Sequence, residues 1–154
     1  PDCSKCPIAM DCVAFNTGRV QELPVKLKKN KIKKKYFNFL VIQSIDQKTI
    51  LEQRISNGIW QNLYQFPLIE TSKSENNLDF RINQNHKILK NLTIESITLY
   101  NKKDIIHKLS HLELHVKFWN IKTQEVLNNG IKWDEVSKFA VPVVIDRFIQ
   151  EFQS

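Results

Sequence analysis

The stretch that decides the fold is Tyr36-Phe37-Asn38-Phe39-Leu40-Val41-Ile42-Gln43, which is rich in aromatic and β-branched residues and apolar at nearly every position. Alternation of apolar and polar residues indicates a strand with one solvated face, whereas a continuous apolar run is typical of a strand buried on both faces. The stretch therefore predicts a central strand in a sheet that is covered on two sides.

Three further strands are predicted downstream of this one. Residues 49–54 follow a turn signal and are predicted as the next strand, and residues 93–100 are predicted as another. In residues 111–119 the apolar side chains from Leu112 to Phe118 alternate with polar ones. This alternation predicts a strand with one buried face and one polar face.

Two helices are predicted between and after these strands. The segment Ser72-Lys73-Ser74-Glu75 has the spacing of a capping box, and apolar residues recur behind it at helical spacing, which predicts a helix over residues 75–89. Pro142 is suited to the first turn of a helix. It is followed at helical spacing by Ile145, Phe148, Ile149 and Phe152. Together these elements predict an α+β domain with a mixed or mostly antiparallel sheet flanked by helices.

The composition limits the class of protein. The chain has 154 residues and 42% hydrophobic residues, which is the size and composition of one globular domain. No apolar run approaches the roughly 18 residues needed to span a bilayer, so no membrane association is expected. The formal net charge is +7, and removing seven lysines from the 23 Lys and Arg leaves 16 to match the 16 Asp and Glu.

These seven lysines all fall within one short basic segment of ten residues, residues 26–35. They are Lys26, Lys28, Lys29, Lys31, Lys33, Lys34 and Lys35. Such a local excess predicts contact with a polyanion rather than a uniformly basic surface. The alternative is a solvated linker between domains, with the charge serving solubility.

The cysteines also cluster. Cys3, Cys6 and Cys12 are the only cysteines in the chain, and their odd number at one end is a poor basis for disulfides. A reducing, intracellular setting is therefore expected. Their C-x2-C-x5-C spacing is suited to zinc or an iron–sulfur cluster, although both normally take four ligands. Three unrelated thiols are the alternative.

The cysteine motif carries a family resemblance. Cys3-Ser4-Lys5-Cys6-Pro7, with Cys12 and then Leu23-Pro24-Val25-Lys26, resembles the interdomain junction of MutY-type adenine DNA glycosylases, whose cluster loop reads C-x6-C-x2-C-x5-C. The resemblance implies that Cys3, Cys6 and Cys12 are three of the four ligands of a 4Fe–4S cluster in a longer parent protein. It also implies that this chain alone holds no intact cluster, and that its partner is the parent's N-terminal glycosylase domain, which carries the catalytic residues.

The resemblance extends over the body of the chain. The segment from Gly58 to Pro67, GIWQNLYQFP, looks like the family's G-[LI]-W-x-x-L-[FWY]-x-[FL]-P stretch, and Phe139-Ala140-Val141-Pro142 also fits. The family's C-terminal domain is Nudix-like. Nudix hydrolysis of a diphosphate needs G-x5-E-x7-R-E-U-x-E-E-x-G-U, where U is a bulky aliphatic and the acids hold Mg²⁺. None of the three glycines is followed by that run of acids, so a binding domain is expected.

The resemblance divides the chain into three parts. Residues 1–20 form the end of the cluster loop, residues 21–35 a basic linker, and residues 36–154 a Nudix-like lesion-recognition domain. The implied function is recognition of 8-oxoguanine in 8-oxoguanine:adenine mispairs in duplex DNA, in a monomeric bacterial protein of the cytoplasm, close to the nucleoid. A Nudix-type hydrolase of oxidised nucleotides and a protein-interaction module are the alternatives.

The segment Leu109-Ser110-His111 resembles the family's Phe-Ser-His loop, which inserts at 8-oxoguanine. By this resemblance Ser110 senses the lesion, His111 contacts the base edge or a phosphate, and Leu109 wedges between bases. Without it, Ser110 is a turn residue bonded to its own backbone. The spacing of His107, His111 and His115 would place three imidazoles on one face of a helix, but the strand alternation argues against a zinc site there.

Overall fold

The computed structural model describes residues 1–25, 31–77, 89 and 92–154. The chain falls into two compact units, Pro1–Lys31 and Ile32–Ser154. In the described part of the first unit, residues 1–25 and 31, the chain forms two 3₁₀ turns, Cys3–Lys5 and Ala9–Asp11, and a one-turn helix α1, Val13–Asn16. Among the described helices, none is long and apolar enough to cross a membrane.

Over the described residues of the second unit we find nine strands, a 3₁₀ segment from Trp133 and a C-terminal helix. The strands are β1 (Lys33–Ser44), β2 (Lys48–Thr49), β3 (Glu52–Gln53), β4 (Tyr64–Gln65), β5 (Leu68–Thr71), β6 (Ile94–Leu99), β7 (Ile105–Lys108), β8 (Leu112–Thr123) and β9 (Ile131–Lys132). The 3₁₀ segment is Trp133–Lys138, and the chain ends with helix α2, Val143–Phe152.

The main sheet is mixed, in agreement with the predicted α+β class. Its order is β5-β1-β8-β6, and β7 pairs with β8 beside β6. β1 and β8 are parallel over their whole length, from Lys33 opposite Leu112 to Ser44 opposite Thr123. The other pairings of this sheet are antiparallel. β2 with β9 and β3 with β4 form two short antiparallel ribbons outside it.

Helix α2 covers the first face of the sheet. Phe37 and Phe39 of β1 and Phe118 of β8 are buried there together with Ile145 and Phe148 of the helix. The ring of Phe148 stacks on that of Phe118 with centroids 4.0 Å apart. The helix predicted from the apolar spacing after Pro142 is therefore confirmed, and this spacing places one continuous apolar stripe against the sheet.

The second face of the sheet carries its own core. Leu40 and Ile42 of β1 are buried there with Trp119 and Ile121 of β8, and Leu127 packs with them. Since neighbouring side chains on a strand point to opposite faces, the continuous apolar run of β1 supplies both cores. The prediction of a strand buried on two sides is confirmed.

The predicted strands over residues 93–100 and 111–119 are also confirmed, as β6 and β8. The predicted strand over residues 49–54 instead divides between β2 and β3. The two parts have different partners, β9 and β4, and a single strand could not have reached both.

The predicted capping box at Ser72–Glu75 is wrong. Residues 74, 75 and 77 have no regular structure, and residue 76 lies in a bend. Ser74 Oγ donates to Asp104 Oδ1 over 2.7 Å, and the Glu75 carbonyl accepts from Lys117 Nζ over 2.7 Å. These long-range bonds take the place of local capping. Residues 78–88 of the helix predicted over residues 75–89 lie outside the described residues.

We expect Phe148→Ala to destabilise the second unit by about 3–5 kcal/mol, because truncation of a buried aromatic ring leaves a cavity at the contact between α2 and the sheet. Phe148 is only 2% exposed and also contacts the rings of Phe66 and Tyr100. Urea denaturation followed by circular dichroism measures the loss. Val143→Ala, on the exposed side of the same helix, is the control and is expected to stay within about 0.5 kcal/mol of the wild type.

Candidate nucleic-acid interface

A tight turn joins β7 to β8 and carries the three residues that the family resemblance singled out. Lys108 pairs with Glu113 at the end of the hairpin, and the Leu109 N–H donates to the Leu112 carbonyl over 2.8 Å. Ser110 and His111 form the tip, where both are exposed. Ser110 Oγ lies 3.1 Å from His111 Nδ1. The turn thus presents a hydroxyl and an imidazole to solvent as one hydrogen-bonded pair.

Leu109 points a different way from its two neighbours. It is half-buried and packs against the core of the first face. The apolar contact anchors the turn to the body of the domain, while Ser110 and His111 stay outside. The wedge role that the resemblance gives to Leu109 remains a prediction.

Part of the basic segment lies beside this turn. The Lys33 N–H donates to the His111 carbonyl over 3.2 Å, and Lys33 then begins the parallel pairing with β8. The side chain of Lys33 is exposed, as is that of Lys108 at the end of β7. Two exposed lysines therefore lie near the hydroxyl–imidazole pair, one on each of the two strands that border β8 at this end.

The basic linker is predicted over residues 21–35, and the structure shows where its last residues lie. The second unit begins at Ile32, and Lys33, Lys34 and Lys35 belong to β1. β8 begins at Leu112, and Lys33 pairs with this residue at the start of the β1–β8 register. Of the remaining lysines, Lys31 is exposed at the end of the first unit. Lys26, Lys28 and Lys29 lie outside the described residues.

The lysines in β1 are not equivalent. Lys34 Nζ lies 3.4 Å from Glu113 Oε1, and Lys35 Nζ lies 3.1 Å from Glu70 Oε2. Lys33 forms no salt bridge with any residue that the structure describes. The sequence showed seven lysines without nearby acids, but pairing between strands brings acids to two of them. Lys33 is consequently the lysine of β1 most available to a phosphate.

A polar cluster lies behind the turn on the second face. His115 Nδ1 is 3.1 Å from Asp104 Oδ2, and its Nε2 is 3.0 Å from Glu113 Oε1. The ring of Tyr36 covers the imidazole at a centroid distance of 4.7 Å. The Lys117 ammonium, almost fully buried, lies 3.5 Å from Asp104 Oδ1. The polar face predicted for β8 is therefore a packed network at this point and not a solvated surface.

The network holds its carboxylates ionised. Burial disfavours the Asp104 carboxylate, but hydrogen bonds from Ser74 and His115 and the charge of Lys117 outweigh burial and lower its pKa. The hydrogen bond from His115, joined by the Lys34 ammonium, lowers the pKa of Glu113. Since Glu113 follows the turn and Asp104 precedes β7, the network links both arms of the hairpin.

The histidines of this region do not come together. His107 lies by Trp60, with ring centroids 5.8 Å apart, and Trp60 packs on the first face. His115 lies in the polar cluster on the second face, and His111 is at the tip of the turn. Within the described ranges, no three His, Cys, Asp or Glu side chains form a group that could hold a metal ion.

The cysteines lie in the first unit. Cys3, Cys6 and Cys12 are free thiols that line one cavity of about 450 Å³, with Val13 and Leu23 among its apolar walls. Soft thiolates around an apolar space are the donor set of an iron–sulfur cluster. The chain has no fourth cysteine, so these residues fit three of the four corners of such a group.

Two features of the interface were missed from the sequence. The first is β7, where the β-branched pair Ile105-Ile106 ahead of the turn was a usable signal. The second is the salt bridges of Lys34 and Lys35, which bring together residues 79 and 35 positions apart. No local pattern could have indicated these.

Comparison with known proteins gives a family and a set of relatives. A family model described as a NUDIX domain matches residues 38–151. The adenine DNA glycosylase of Buchnera aphidicola subsp. Schizaphis graminum is 32% identical over 118 residues, which is 75% of this chain and 30% of that protein. The corresponding protein of Buchnera aphidicola subsp. Baizongia pistaciae is 31% identical over 118 residues, with the same coverage. The chain thus spans less than a third of the length of these curated relatives.

Solved structures share the fold at low sequence identity. The C-terminal domain of mouse MUTYH, solved in complex with human PCNA, has a TM-score of 0.59 and 16% identity, over 77% of this chain and 87% of that one. A MutT protein from Methanosarcina mazei Go1 has a TM-score of 0.52 and 11% identity, over 83% of this chain and 96% of that one. At these identities the likeness shows the fold.

We expect Asp104→Asn to flatten the acid side of the stability profile. A carboxylate whose pKa is lowered by folding contributes stability that is fully present above its unfolded pKa, near 4, and is lost as the pH falls through the folded value. Thermal unfolding of wild type and variant between roughly pH 7 and pH 2.5 measures this. Asp134→Asn, at an exposed carboxylate, is the control. Parallel profiles for wild type and Asp104→Asn would contradict the role given to the network.

Proposed function

Because the chain belongs to the NUDIX domain family and is similar over 118 residues to adenine DNA glycosylases, we propose that it is the lesion-recognition domain of such a glycosylase. In this role it recognises 8-oxoguanine paired with adenine in duplex DNA. The observation that carries the proposal is the exposed Ser110–His111 turn with Lys33 hydrogen-bonded beside it. A hydroxyl for the base and an ammonium group for the backbone then share one end of the sheet.

The lesion changes one hydrogen-bonding group in the major groove. Guanine offers N7 as an acceptor there. Oxidation at C8 places a hydrogen on N7, which turns this acceptor into a donor. A serine hydroxyl can accept from that N–H, and it can also rotate to donate. Ser110 is thus the residue that senses the change, and His111, its hydrogen-bond partner, orients the hydroxyl or contacts the base edge or a phosphate.

The lysines supply affinity without sequence information. Ammonium groups that meet phosphates release condensed counterions, and this term is the same for damaged and undamaged DNA. Lys33 and Lys108 contribute most, since Lys34 and Lys35 are partly neutralised by Glu113 and Glu70. The other lysines of the basic segment are proposed to extend this contact along the backbone.

The catalytic step belongs to the part of such a glycosylase that this chain does not include. That part flips the adenine out of the stack and cleaves its glycosidic bond, so the N-terminal glycosylase domain is the proposed protein partner. Cys3, Cys6 and Cys12 would hold three corners of a 4Fe–4S cluster, which supplies a structural cross-link when bound. We place the protein, as a monomer, with the DNA in the bacterial cytoplasm.

We expect Ser110→Ala to reduce the preference for 8-oxoguanine:adenine over guanine:adenine duplexes. One hydrogen bond contributes about 0.5–1.5 kcal/mol net, so the ratio of the two dissociation constants should fall roughly 2- to 10-fold. Fluorescence anisotropy with this 154-residue chain and both duplexes measures the ratio. Ser137→Ala removes an exposed hydroxyl elsewhere and is the control. An unchanged ratio, or an equal loss on both duplexes, would refute lesion sensing by Ser110.

We expect Lys33→Gln combined with Lys108→Gln to weaken binding to both duplexes equally and to lower the slope of log K against log salt. Each lost phosphate contact removes about 0.9 from that slope, so a change of about 2 is expected. The same anisotropy assay over a range of salt concentrations gives the slope. Lys122→Gln with Lys132→Gln is the matched control, because Lys122 lies near the opposite end of β8, roughly 30 Å along the strand. An equal change in the control would show that only net charge matters.

A further inference from the structure

The loop between β3 and β4 has an unusual backbone. Gly58 has φ 129°, Trp60 φ 61° and Asn62 φ 67°, so three positive φ angles fall within five residues. Positive φ is uncommon outside glycine and is unfavourable for a residue as bulky as tryptophan. A conformation of this kind persists only where the surrounding contacts impose it, and such positions concentrate at functional sites.

The contacts that impose it are clear. The Trp60 ring packs edge-on against Phe37 of β1 with centroids 5.9 Å apart, and it also meets His107 of β7 at 5.8 Å. The Asn62 N–H donates to the Arg54 carbonyl over 2.7 Å, and Gln53 Nε2 donates to the Asn62 carbonyl over 3.2 Å. The loop is therefore fixed to the sheet by a partly buried ring and closed at its base by hydrogen bonds.

Beyond the exposed Ile55, the outer side of residues 56–62 is polar and carries no acid. Asn57, Gln61 and Asn62 are exposed, and Gln61 Nε2 donates to Asn57 Oδ1 over 3.2 Å. A Cβ built on Gly58 would meet nothing within 4 Å, so the backbone there faces open space. No acidic residue occurs between Glu52 and Glu70. The loop offers neutral amide donors and an approachable backbone without a charge that would repel phosphate.

The position of the loop relates it to the candidate interface. His107, which contacts Trp60, precedes Ser110 by three residues, roughly 10 Å along the hairpin. Phe37 follows Lys33 in β1 at a similar separation. The loop therefore lies at the same end of the sheet as the turn and the lysines, on the side of the first face.

We propose that residues 56–62, the amide loop, form a second DNA contact that holds the sugar–phosphate backbone next to the lesion. The amide groups of Gln61 and Asn62 donate to phosphate or sugar oxygens, and the exposed backbone at Gly58 permits close approach. This inference rests on the proposed binding of DNA at this end of the sheet. The contact is neutral and does not read bases, so it adds affinity independently of both the lesion and the salt concentration.

The test is Gln61→Ala combined with Asn62→Gly, in the 154-residue chain and the same anisotropy assay. Glycine keeps the left-handed backbone at residue 62 at no steric cost and removes only the amide. Gln47→Gly with Gln124→Ala is the matched control, since Gln47 also has a positive φ, 56°, at the opposite end of β1. Circular dichroism of both variants confirms that they fold.

We expect the loop variant to bind both duplexes roughly threefold to tenfold more weakly. The preference for 8-oxoguanine:adenine and the salt slope should both stay at their wild-type values, since neutral donors release no counterions. Unchanged affinity, or an equal loss in the control, would overturn the inference. A changed lesion preference would also overturn it, because the loop would then read the base.

These outcomes separate this inference from the proposed function. If Ser110→Ala left the lesion preference intact while the loop variant weakened binding to both duplexes, lesion sensing would fail and the loop contact would survive. If Ser110→Ala reduced the lesion preference while the loop variant bound both duplexes as tightly as the wild type, only the loop contact would be refuted. Failure of the wild-type chain to bind either duplex would refute both.

Discussion

The parallel pairing of β1 with β8 is the constraint on which the rest of the second unit depends. The two strands run side by side for twelve residues each, and their register aligns the side chains on both faces of the sheet. It places Phe37 beside Val116 on the face that α2 covers, and Leu40 beside Trp119 on the other. The same register sets Lys33 against the end of the β7–β8 turn. Core and candidate interface are therefore positioned by one set of backbone hydrogen bonds.

Along the second face this register produces a gradient of polarity. Lys34 and Glu113 come first, beside the turn, then Tyr36 and His115, and then Asn38 and Lys117. Beyond them lie the apolar pairs Leu40–Trp119 and Ile42–Ile121, and the register ends at two buried polar residues, Ser44 and Thr123. Buried polar groups need partners, and Asn38 finds them in Trp119 Nε1 and the Ile69 carbonyl. The charged pairs of this face thus lie toward the turn, and its large apolar pairs lie further along the two strands.

Much of this could be predicted from the sequence, for physical reasons that differ between elements. The continuous apolar run in β1 and the alternation in β8 were sufficient to predict both strands, because the periodicity of apolar residues shows which faces of a strand are buried. The helical stripe after Pro142 was sufficient for the same reason. The capping-box prediction failed because this segment bonds to residues far away in sequence. The Ser74 hydroxyl donates to Asp104, and the Glu75 carbonyl accepts from Lys117. The strand β7 was missed because four residues carry too little periodicity.

The sequence by itself determined the mixed sheet, the C-terminal helix, the similarity to the glycosylases and the three residues of the turn, since these depend on local pattern and motif spacing. Only the tertiary structure decided which lysines of β1 form salt bridges, and that Leu109 packs inward while Ser110 and His111 face out. It also decided that the amide loop contacts β7, through the rings of Trp60 and His107. These facts depend on contacts between residues distant in the chain. The pairing of β1 with β8 creates those contacts, and no short stretch of sequence contains them.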